Sequence, residues 1–275
     1  MEPARKLDLN PIAKTANTAV LTQEEDNMNT LPQTTTPQTL DSNVVSYPAK
    51  TRHKLNCEEN RFQQDFHDSA FPITSVRYAG AKRLMDVAGS LFALLLLSPI
   101  MLAVALIIRL TSKGPILFKQ VRVGRGGRFF HCYKFRSMYQ DAEARKEELA
   151  HLNEMSGPVF KIKNDPRITP IGRIIRKFSI DEFPQFLNVL LGDMSLVGPR
   201  PPIPAEVEEY TPYQRQRLAV LPGITCIWQV SGRNNINFER WVELDLLYIE
   251  NMSFWTDVKI LIQTLPAVLR TDGAQ

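Results

Sequence analysis

The stretch "VAGSLFALLLLSPIMLAVALII", from Val87 to Ile108, carries no charged side chain. A helix needs about 20 apolar residues to cross the hydrocarbon core of a bilayer, so this stretch predicts a membrane-embedded helix. Ser98 and Pro99 fall near its middle, and a proline inside a helix removes a backbone hydrogen bond and crowds the preceding turn. We therefore expect the membrane helix to break or bend at Ser98 and Pro99.

Basic residues flank both ends of this apolar stretch. They are Arg77, Lys82 and Arg83 on the N-terminal side, and Arg109, Lys113, Lys119 and Arg122 on the C-terminal side. Lysine and arginine next to a membrane segment favour the cytoplasmic face, and a straight crossing would place one flank on the other face. A single-pass helix and a re-entrant helix both remain open, and the prediction that we adopt is a re-entrant helix over residues 76–113.

Residues 1–75 differ in composition from the rest of the 275-residue chain. They are rich in Thr, Gln, Pro and Asn and lack a sustained apolar period, which predicts a disordered N-terminal arm. The arm holds more acidic than basic residues, so the net charge of +4 reflects an excess of positive charge beyond it. That excess favours an anionic partner such as phosphate or a lipid headgroup. Nucleic acid is not expected, because no nucleic-acid-binding motif accompanies the charge.

Three cysteines lie far apart in the chain, at positions 57, 132 and 226. Their odd number and wide spacing favour neither a disulfide framework nor a zinc site, and are typical of a reducing compartment.

Residues 114–275 carry mixed helix and strand patterns, which predict an α+β domain. The segment "PILFKQVRVGRGGRFFHCYKFRSM" indicates two strands joined by a glycine-rich turn, Gly124 to Gly127. The segment "YQDAEARKEELAHLNEM" predicts a polar, solvated helix. The segment "SFWTDVKILIQTLPAVLR" predicts an amphipathic helix that lies either in the headgroup layer or against the protein core.

The stretch "FSIDEFPQF", from Phe178 to Phe186, places two carboxylates, Asp181 and Glu182, side by side before a proline. Apolar residues then recur at helical spacing as far as Gly192, which predicts a short helix with one buried face. A cap at Asp181 would leave Pro184 in the first turn, where proline is tolerated. On this interpretation Asp181 caps the helix and Glu182 complements its dipole, with no catalytic role.

Cations on both sides of the carboxylate pair support a second interpretation. Arg173, Arg176 and Lys177 precede the pair, and Arg200 follows it in "GPRPP". Guanidinium groups bind phosphate oxygens in a bidentate manner, and carboxylates among arginines favour phosphoryl chemistry with a divalent ion. The residues alone leave both the helix cap and the phosphate site open.

Several long motifs occur in one order between Tyr78 and Arg270. They are "KRLMDVAGSLFALLLLSPI", "YKFRSM", "RKFSIDEFPQFLNVLLGDMSLVGPRP", "LPGITCIWQVSGRN" and "ELDLLYIENMSFWTDVKI". With these motifs the chain resembles the bacterial sugar transferase family, the monotopic phosphoglycosyl transferases that start lipid-linked glycan assembly. It is most similar to the exopolysaccharide-initiating type that transfers a hexose 1-phosphate.

The resemblance implies a reaction and a location. A UDP-sugar gives its sugar 1-phosphate to undecaprenyl phosphate and UMP is released, with Asp181 as the nucleophile that forms a covalent intermediate and Glu182 as a ligand of Mg²⁺. A carboxylate at a helix N-terminus is expected to stay ionised at neutral pH, as a nucleophile must. The implied enzyme is monotopic in the cytoplasmic membrane, faces the cytoplasm, and has homo-oligomers among its expected partners.

The resemblance also assigns further residues. Arg176 and Arg200 are expected to bind the substrate phosphates, with Lys134 and Arg136 as helpers. Gln229, Arg233 and Asn234 are expected either to contact the sugar or nucleotide or to order their own loop. Asp245 either supports the site or accepts a structural hydrogen bond. Cys226 replaces a glycine common in the family, and we expect it to pack rather than to react.

Two rival functions remain open at this level. One is a non-enzymatic, membrane-anchored module that binds anionic lipid or a protein through its basic face. The other is a transferase of the same family that uses a hexosamine 1-phosphate. The carboxylate pair between Arg176 and Arg200 favours an enzyme, because lipid binding does not need it.

Overall fold

The computed structural model describes residues 59–60, 63, 76–155, 157–162, 164–231 and 236–269. The apolar stretch lies within one long helix, α1, Val76–Thr111. Among the described residues this is the only helix long and apolar enough to cross a membrane. It continues through Pro99 without interruption, so the helical structure is not lost at the predicted break. The Leu95 carbonyl oxygen lacks its usual helical donor, because Pro99, four residues later, has no N–H. The Ser98 hydroxyl donates to this oxygen instead, at 2.8 Å.

Both ends of α1 pack against the rest of the protein, while its middle does not. Lys82, Asp86 and Ser90 are buried near one end, and Val104 and Ile108 are buried near the other. Positions 91–103, all of which the structure describes, are exposed or half-buried. The apolar middle of α1 is therefore available to lipid, and each end is fixed to the folded domain.

A β-hairpin follows α1, as the sequence predicts. Strands β1, Leu117–Val123, and β2, Phe129–Phe135, are antiparallel, with Val123 opposite Phe129. A 3-10 turn at Arg125–Gly127 joins them, and Gly126 has a φ of 66°, a left-handed conformation that glycine adopts without steric cost. The predicted hairpin is confirmed.

The segment from Tyr139 to Met155 is not the polar helix that its composition predicts. Its backbone forms a succession of turns, followed by a 3-10 helix at Ala150–Leu152. The N–H of Ala142, for example, bonds to the carbonyl oxygen three residues earlier. Ala142 is the one buried residue in this segment. Without an apolar face to bury, little packing energy favours a regular α-helix here.

Short helices and a second, parallel sheet complete the α+β fold, whose predicted mixed class is confirmed. The helices are α2, Pro170–Lys177; α3, Gln185–Leu191; α4, Pro204–Glu208; α5, Pro212–Arg215; α6, Ile227–Val230; α7, Phe238–Glu250; and α8, Phe254–Leu269. The second sheet pairs β3, Ser195–Val197, with β4, Gly223–Thr225. The main core lies between this sheet, the hairpin and α7, and includes Trp228 and Trp241, whose rings stack at 4.3 Å.

The predicted C-terminal amphipathic helix is present as α8. Asp257 and Ile260 on one face are buried, whereas Trp255 is 76% exposed and Leu265 is 68% exposed. The helix therefore packs on the core and also presents a large apolar surface. Its location in the headgroup layer stays a prediction.

Three residues of the predicted disordered arm belong to the described part of the chain. Glu59, Asn60 and Gln63 are helical. The Glu59 carboxylate accepts a hydrogen bond at 3.1 Å from the backbone N–H of Phe129, at the start of β2. This contact ties one residue of the arm to the hairpin, and the prediction of a disordered arm over residues 1–75 stays a prediction. The other residues of 1–75 lie outside the described residues.

Candidate active site

Two short helices hold the carboxylate pair between them. Thr169 caps α2 by accepting a hydrogen bond at 2.9 Å from the Gly172 N–H. After α2 the chain reverses at Ser179, whose φ is 55°, and forms a 3-10 turn at Ile180–Glu182. A non-glycine residue with this φ is uncommon, and the strained turn separates the carboxylate pair from α2.

The predicted cap at Asp181 is wrong. Pro184 is the N-cap residue of α3, and Asp181 lies in the preceding 3-10 turn without capping the helix. The N–H groups of Glu182 and Phe183 bond instead to the carbonyl oxygens of Ser179 and Ile180. Because these backbone bonds form the turn, Asp181 is not needed as a cap. The predicted end of the helix at Gly192 is confirmed, with a φ of 91°.

Glu182 forms an ion pair with Lys134, which lies 48 residues earlier in the chain. The Lys134 Nζ donates to Glu182 Oε1 at 2.7 Å, and both side chains are partly buried. Burial alone would raise the pKa of Glu182, but the positive charges of Lys134, Arg200 and Arg122 outweigh it and lower that pKa to about 2. Glu182 is therefore an anion at neutral pH.

Asp181 has the opposite electrostatic balance. Its side chain is buried, and desolvation, together with the neighbouring charge of Glu182, raises the pKa of Asp181 to about 6 despite Lys134 and Arg176. Burial thus has a larger effect on Asp181 than the nearby cations, but a pKa of about 6 agrees with the expectation that this carboxylate stays ionised at neutral pH. At neutral pH most of the Asp181 population is still ionised, as a poorly solvated carboxylate.

A cleft opens beside the pair and encloses about 270 Å³, including space open to solvent. The hairpin contributes Arg122, Cys132 and Lys134; the remaining lining residues are Glu182, Gln185, Arg200, Pro201, Gly223, Ile224 and Gln229. Three cations therefore converge around one carboxylate at the cleft wall, which suits an anionic ligand.

The loop that carries Arg200 is fixed on both sides. The Pro202 carbonyl oxygen accepts from the Val123 N–H at 2.9 Å, and the Pro199 carbonyl oxygen accepts from the Gly223 N–H at 2.9 Å. A Cβ at Gly223 would collide with the backbone of Gly198. The glycines of "VGPRPP" and "LPGIT" thus allow the two segments to meet closely, and this contact holds Arg200 at the cleft.

The other predicted cations occupy different places. Arg176, at the end of α2, is half-buried and contributes to the electrostatic field at Asp181. Arg136 is buried at the end of α1, where its guanidinium donates to the carbonyl oxygens of Lys113 at 2.8 Å and Ser112 at 2.9 Å. These contacts support a structural role for Arg136 as a cap of the α1 C-terminus. Its predicted role as a phosphate helper stays a prediction.

The loop after β4 contributes part of the predicted sugar or nucleotide site. Gln229 lines the cleft, and its Oε1 lies 3.2 Å from the Sγ of Cys226. Cys226 is buried in the main core, which supports the expectation that it packs. Arg233 and Asn234 lie outside the described residues, so their predicted roles stay predictions.

Asp245 is a buried acceptor behind the cleft. Its Oδ2 accepts from Arg217 Nε at 2.7 Å and forms an ion pair with Arg217 Nη2 at 2.6 Å. Desolvation raises the pKa of Asp245 to about 6, although Arg217 opposes the shift. Of the two alternatives that the sequence left open, the structural hydrogen-bond acceptor matches these contacts.

Gln185 and Arg122 are among the cleft residues that the sequence does not assign to the site. Gln185 follows Pro184 at the start of α3, and Arg122 lies in β1, where it counts only as one more cation near the membrane segment. The signal for Arg122 is its alternation with Gln120 along the strand, which puts both on one hairpin face with Cys132, the residue opposite Gln120. That signal identifies a face, but only the folded structure shows that the face borders Glu182.

The carboxylate pair is chemically suited to Mg²⁺. Magnesium prefers oxygen ligands and is commonly held by one or two carboxylates together with substrate phosphates and water. Glu182 offers such oxygens in the wall of the cationic cleft, and Asp181 is the adjacent residue. Among the described residues no group of three or more His, Cys, Asp or Glu side chains forms a self-contained metal site. The residues therefore fit an ion that binds together with a phosphate-containing substrate.

Comparison with known proteins identifies the class. The family model described as "Bacterial sugar transferase" matches residues 77–271. The chain therefore belongs to the bacterial sugar transferase family, as the resemblance of its motifs indicates.

Three relatives illustrate the similarity. The galactosyl transferase CpsE of Streptococcus agalactiae is 52% identical over 196 residues, which cover 71% of this chain and 43% of CpsE. The undecaprenyl-phosphate galactose phosphotransferase of Salmonella typhimurium is 44% identical over 70% of this chain and 41% of its own length. The exopolysaccharide production protein ExoY of Rhizobium meliloti is 38% identical over 70% of this chain and 88% of its own length. The chain thus spans less than half of the first two relatives and most of the third.

Proposed function

We propose that this chain transfers a sugar 1-phosphate from a UDP-sugar to undecaprenyl phosphate, with Asp181 as the nucleophile. The observation that carries the proposal is the buried carboxylate Asp181 next to Glu182, beside a cleft lined by Lys134, Arg122 and Arg200. A reactive carboxylate among fixed cations is what displacement at a charged phosphate requires. The printed name of the Salmonella relative, an undecaprenyl-phosphate galactose phosphotransferase, supports the same reaction.

In the first step an oxygen of the Asp181 carboxylate attacks the phosphorus that carries the sugar. A P–O bond forms to Asp181, the bond from that phosphorus to the bridging oxygen breaks, and UMP leaves with the bridging oxygen and the electron pair. Lys134 and Arg200 hold the phosphate oxygens and stabilise the charge that develops on UMP. Partial desolvation of Asp181 makes its carboxylate a better nucleophile than one in water.

In the second step a phosphate oxygen of undecaprenyl phosphate attacks the same phosphorus, and the bond to Asp181 breaks. The carboxylate is regenerated and the product is the lipid diphosphate sugar. The position of the cleft suits a lipid acceptor, because Lys134 directly precedes Phe135, and Phe135 packs in one cluster with Val104 and Ile108 of α1. The acceptor phosphate can therefore reach the cleft from the membrane surface.

Glu182 is the residue that would hold Mg²⁺, together with the substrate phosphates. When bound, the ion neutralises part of the diphosphate charge and so lowers the repulsion between the substrate and an anionic nucleophile. The ion pair with Lys134 holds a carboxylate oxygen of Glu182 at the cleft wall.

The proposed donor sugar is galactose or another hexose. The relatives that are 52% and 44% identical carry galactosyl and galactose in their names. A hexosamine is the second candidate, because a relative from Aeromonas hydrophila, 41% identical over 206 residues, is named as an N-acetylgalactosamine phosphotransferase.

The proposal is tested by incubating the chain in lipid nanodiscs with undecaprenyl phosphate, Mg²⁺ and a panel of UDP-hexoses and UDP-hexosamines. We expect release of UMP with one donor and transfer of its sugar phosphate to the lipid. Release of UDP would indicate direct glycosyl transfer, and the absence of any nucleotide product across the panel would favour the non-enzymatic module.

The pH dependence of the reaction follows from the raised pKa of Asp181. Only the ionised carboxylate attacks phosphorus, so activity is present above pH 6 and is lost as the pH falls through about 6. We expect kcat/KM for the UDP-sugar to fall about tenfold for each pH unit below that value, since kcat/KM reports the ionisation of the free enzyme. A pH profile of UMP release checks this; a profile that stays flat down to pH 4.5 would contradict it.

We further propose that α1 is re-entrant and bends at Ser98 and Pro99. Fixed contacts support this topology at both ends: Lys82 donates to the Val197 carbonyl oxygen at 3.0 Å, whereas Ile108 packs with Ile175. A straight helix would place Lys82 and Ile108 roughly 39 Å apart along its axis, which is more than the thickness of the bilayer core. Attachment of both ends to one domain is simplest when both lie on the same face of the membrane.

The topology predicts one-sided labelling. Single cysteines at the exposed positions Arg77 and Lys113, in a variant without other cysteines, should both react only with a reagent added from the cytoplasmic side. Labelling of one of them from the periplasmic side would show a single-pass helix. A cysteine at the lipid-exposed Leu95 serves as a control that should react slowly from either side.

A further inference from the structure

Arg122 stands apart from the other buried arginines of the described chain. Arg167 forms an ion pair with Asp165 at 2.7 Å, and Arg217 forms one with Asp245 at 2.6 Å. Arg136 bonds to carbonyl oxygens, but these lie at the C-terminus of α1, where the helix dipole offers negative potential. Each of these three cations has a compensating negative charge or dipole.

The hydrogen bonds of Arg122 go only to neutral oxygens. Its Nη1 donates to the Pro201 carbonyl oxygen at 2.7 Å, and its Nε and Nη2 donate to the Gln120 Oε1 at 2.9 and 2.6 Å. The guanidinium has five N–H groups, so two remain without a partner among the described residues. A buried charge without an ion-pair partner is costly, and the residue is only 8% exposed.

The surroundings of Arg122 increase that cost. Desolvation and the like charge of Arg200 lower the pKa of Arg122, and the negative charges of Glu206 and Glu182 offset only part of this effect. Both side chains line the cleft beside Glu182, whose single carboxylate is already paired with Lys134. Two guanidinium groups kept together in this way are stabilised when an anion with several oxygens lies between them.

We propose that Arg122 binds the diphosphate of the nucleotide donor, together with Arg200. Gln120 and the Pro201 carbonyl oxygen fix the guanidinium on its inner side, so that its remaining N–H groups serve the ligand. The contact to Pro201 also ties Arg122 to the residue that follows Arg200, which couples the two arginines into one rigid binding site. The assignment rests on the proposed function, because that function supplies the nucleoside diphosphate.

The assignment is tested by measuring the binding of UDP to the full chain in nanodiscs, by calorimetry in the presence of Mg²⁺. Replacing a charged bidentate contact is expected to weaken UDP binding about 10- to 100-fold in Arg122→Gln, and by a smaller factor in Arg122→Lys, which keeps the charge but loses the fork geometry. Arg125→Gln is the matched control, because Arg125 is exposed in the hairpin turn. The Arg125→Gln variant should bind UDP as tightly as the unmodified chain does.

Thermal melts without ligand separate a binding role from a structural one. Arg122→Gln removes a buried charge that has no direct ion-pair partner among the described residues, so we expect no large fall in Tm. Arg217→Gln leaves Asp245 buried without its partner, so its Tm should fall clearly. If Arg122→Gln unfolds, or loses as much Tm as Arg217→Gln, Arg122 is structural and the assignment is wrong.

The outcomes also separate this assignment from the proposed function. If the unmodified chain binds UDP and releases UMP while both Arg122 variants bind UDP equally well, only the assignment of Arg122 is wrong. If the unmodified chain binds no UDP and turns over no UDP-sugar, the proposed function is wrong and Arg122 has no diphosphate to bind.

Discussion

Asp181→Asn should abolish turnover and the covalent adduct, with a loss of at least about 1,000-fold, because an amide is a far poorer nucleophile than a carboxylate. Incubation with the UDP-sugar and Mg²⁺, but without undecaprenyl phosphate, should leave a sugar phosphate on the unmodified chain and none on the variant. Intact-protein mass spectrometry measures the adduct directly. The Tm of the variant should be unchanged or higher, since the raised pKa of Asp181 means that its charge is less favourable in the folded state than in the unfolded state.

Glu182→Gln is the matched control at the adjacent position. It keeps the nucleophile and removes one negative charge, so the adduct should still form, but more slowly and with a need for more Mg²⁺. It also breaks the ion pair with Lys134 and so leaves the Lys134 ammonium group in the cleft without its carboxylate. An adduct of normal yield on Asp181→Asn, or inactivity of that variant through unfolding alone, would exclude Asp181 as the nucleophile.

Lys82→Met should give the largest loss of stability among the changes considered. Lys82 Nζ forms an ion pair at 2.9 Å with Asp257, whose side chain is fully buried, and also donates to the Val197 carbonyl oxygen and the Tyr248 hydroxyl. Removing the lysine leaves a buried carboxylate without a cation, which typically costs about 3–5 kcal/mol of the free energy of unfolding. Chemical or thermal unfolding in nanodiscs measures this loss.

Two comparisons make the result specific. Lys82→Met combined with Asp257→Asn should recover part of the loss, because the unpaired charge is then removed as well. Arg240→Met breaks a surface ion pair of similar length, 2.6 Å to Glu243, and should cost less than about 1 kcal/mol. A cost for Lys82→Met no greater than that of Arg240→Met would show that the pair does not fix α1 to α8.

Tyr248 explains why this ion pair can be buried. Its hydroxyl donates to Asp257 Oδ1 at 2.7 Å, and the Tyr78 hydroxyl donates to Asp257 Oδ2 at 2.9 Å. The carboxylate therefore has a hydrogen-bond donor on each oxygen in addition to the ammonium group. Because Asp257 belongs to α8 and Lys82 to α1, this network joins the membrane helix to the amphipathic C-terminal helix.

The features that the sequence predicts well are those with a local signal. Uninterrupted apolar composition specifies α1, alternation around a glycine turn specifies the hairpin, and the spacing of apolar residues up to Gly192 specifies α3. Local composition does not predict the backbone correctly where packing determines it. Residues 139–155 are good helix formers, but they have no apolar face to bury and form turns instead.

The sequence proposes the residues of the candidate site but not their electrostatics. The order of motifs places Asp181, Glu182 and Arg200 in one site before any contact is known. The sequence predicts that Asp181 is ionised at neutral pH, but it does not show that the pKa is raised, because the burial responsible comes from the packing of distant segments. The same limitation makes Arg122 and Arg136 hard to distinguish as cations, although one lines the cleft and the other caps α1.

By itself the sequence determines the family, the long apolar helix and the adjacent carboxylates, because each is encoded in residues close together in the chain. Only the tertiary structure decides which charges meet: Lys134 reaches Glu182 across 48 residues, and Lys82 reaches Asp257 across 175. The free energy of a buried charge depends on its partners and on the solvent it has lost, and both are fixed when distant segments pack together. The ionisation and ion pairing of the two carboxylates are therefore determined by the tertiary structure, while their position in the chain is evident from the sequence.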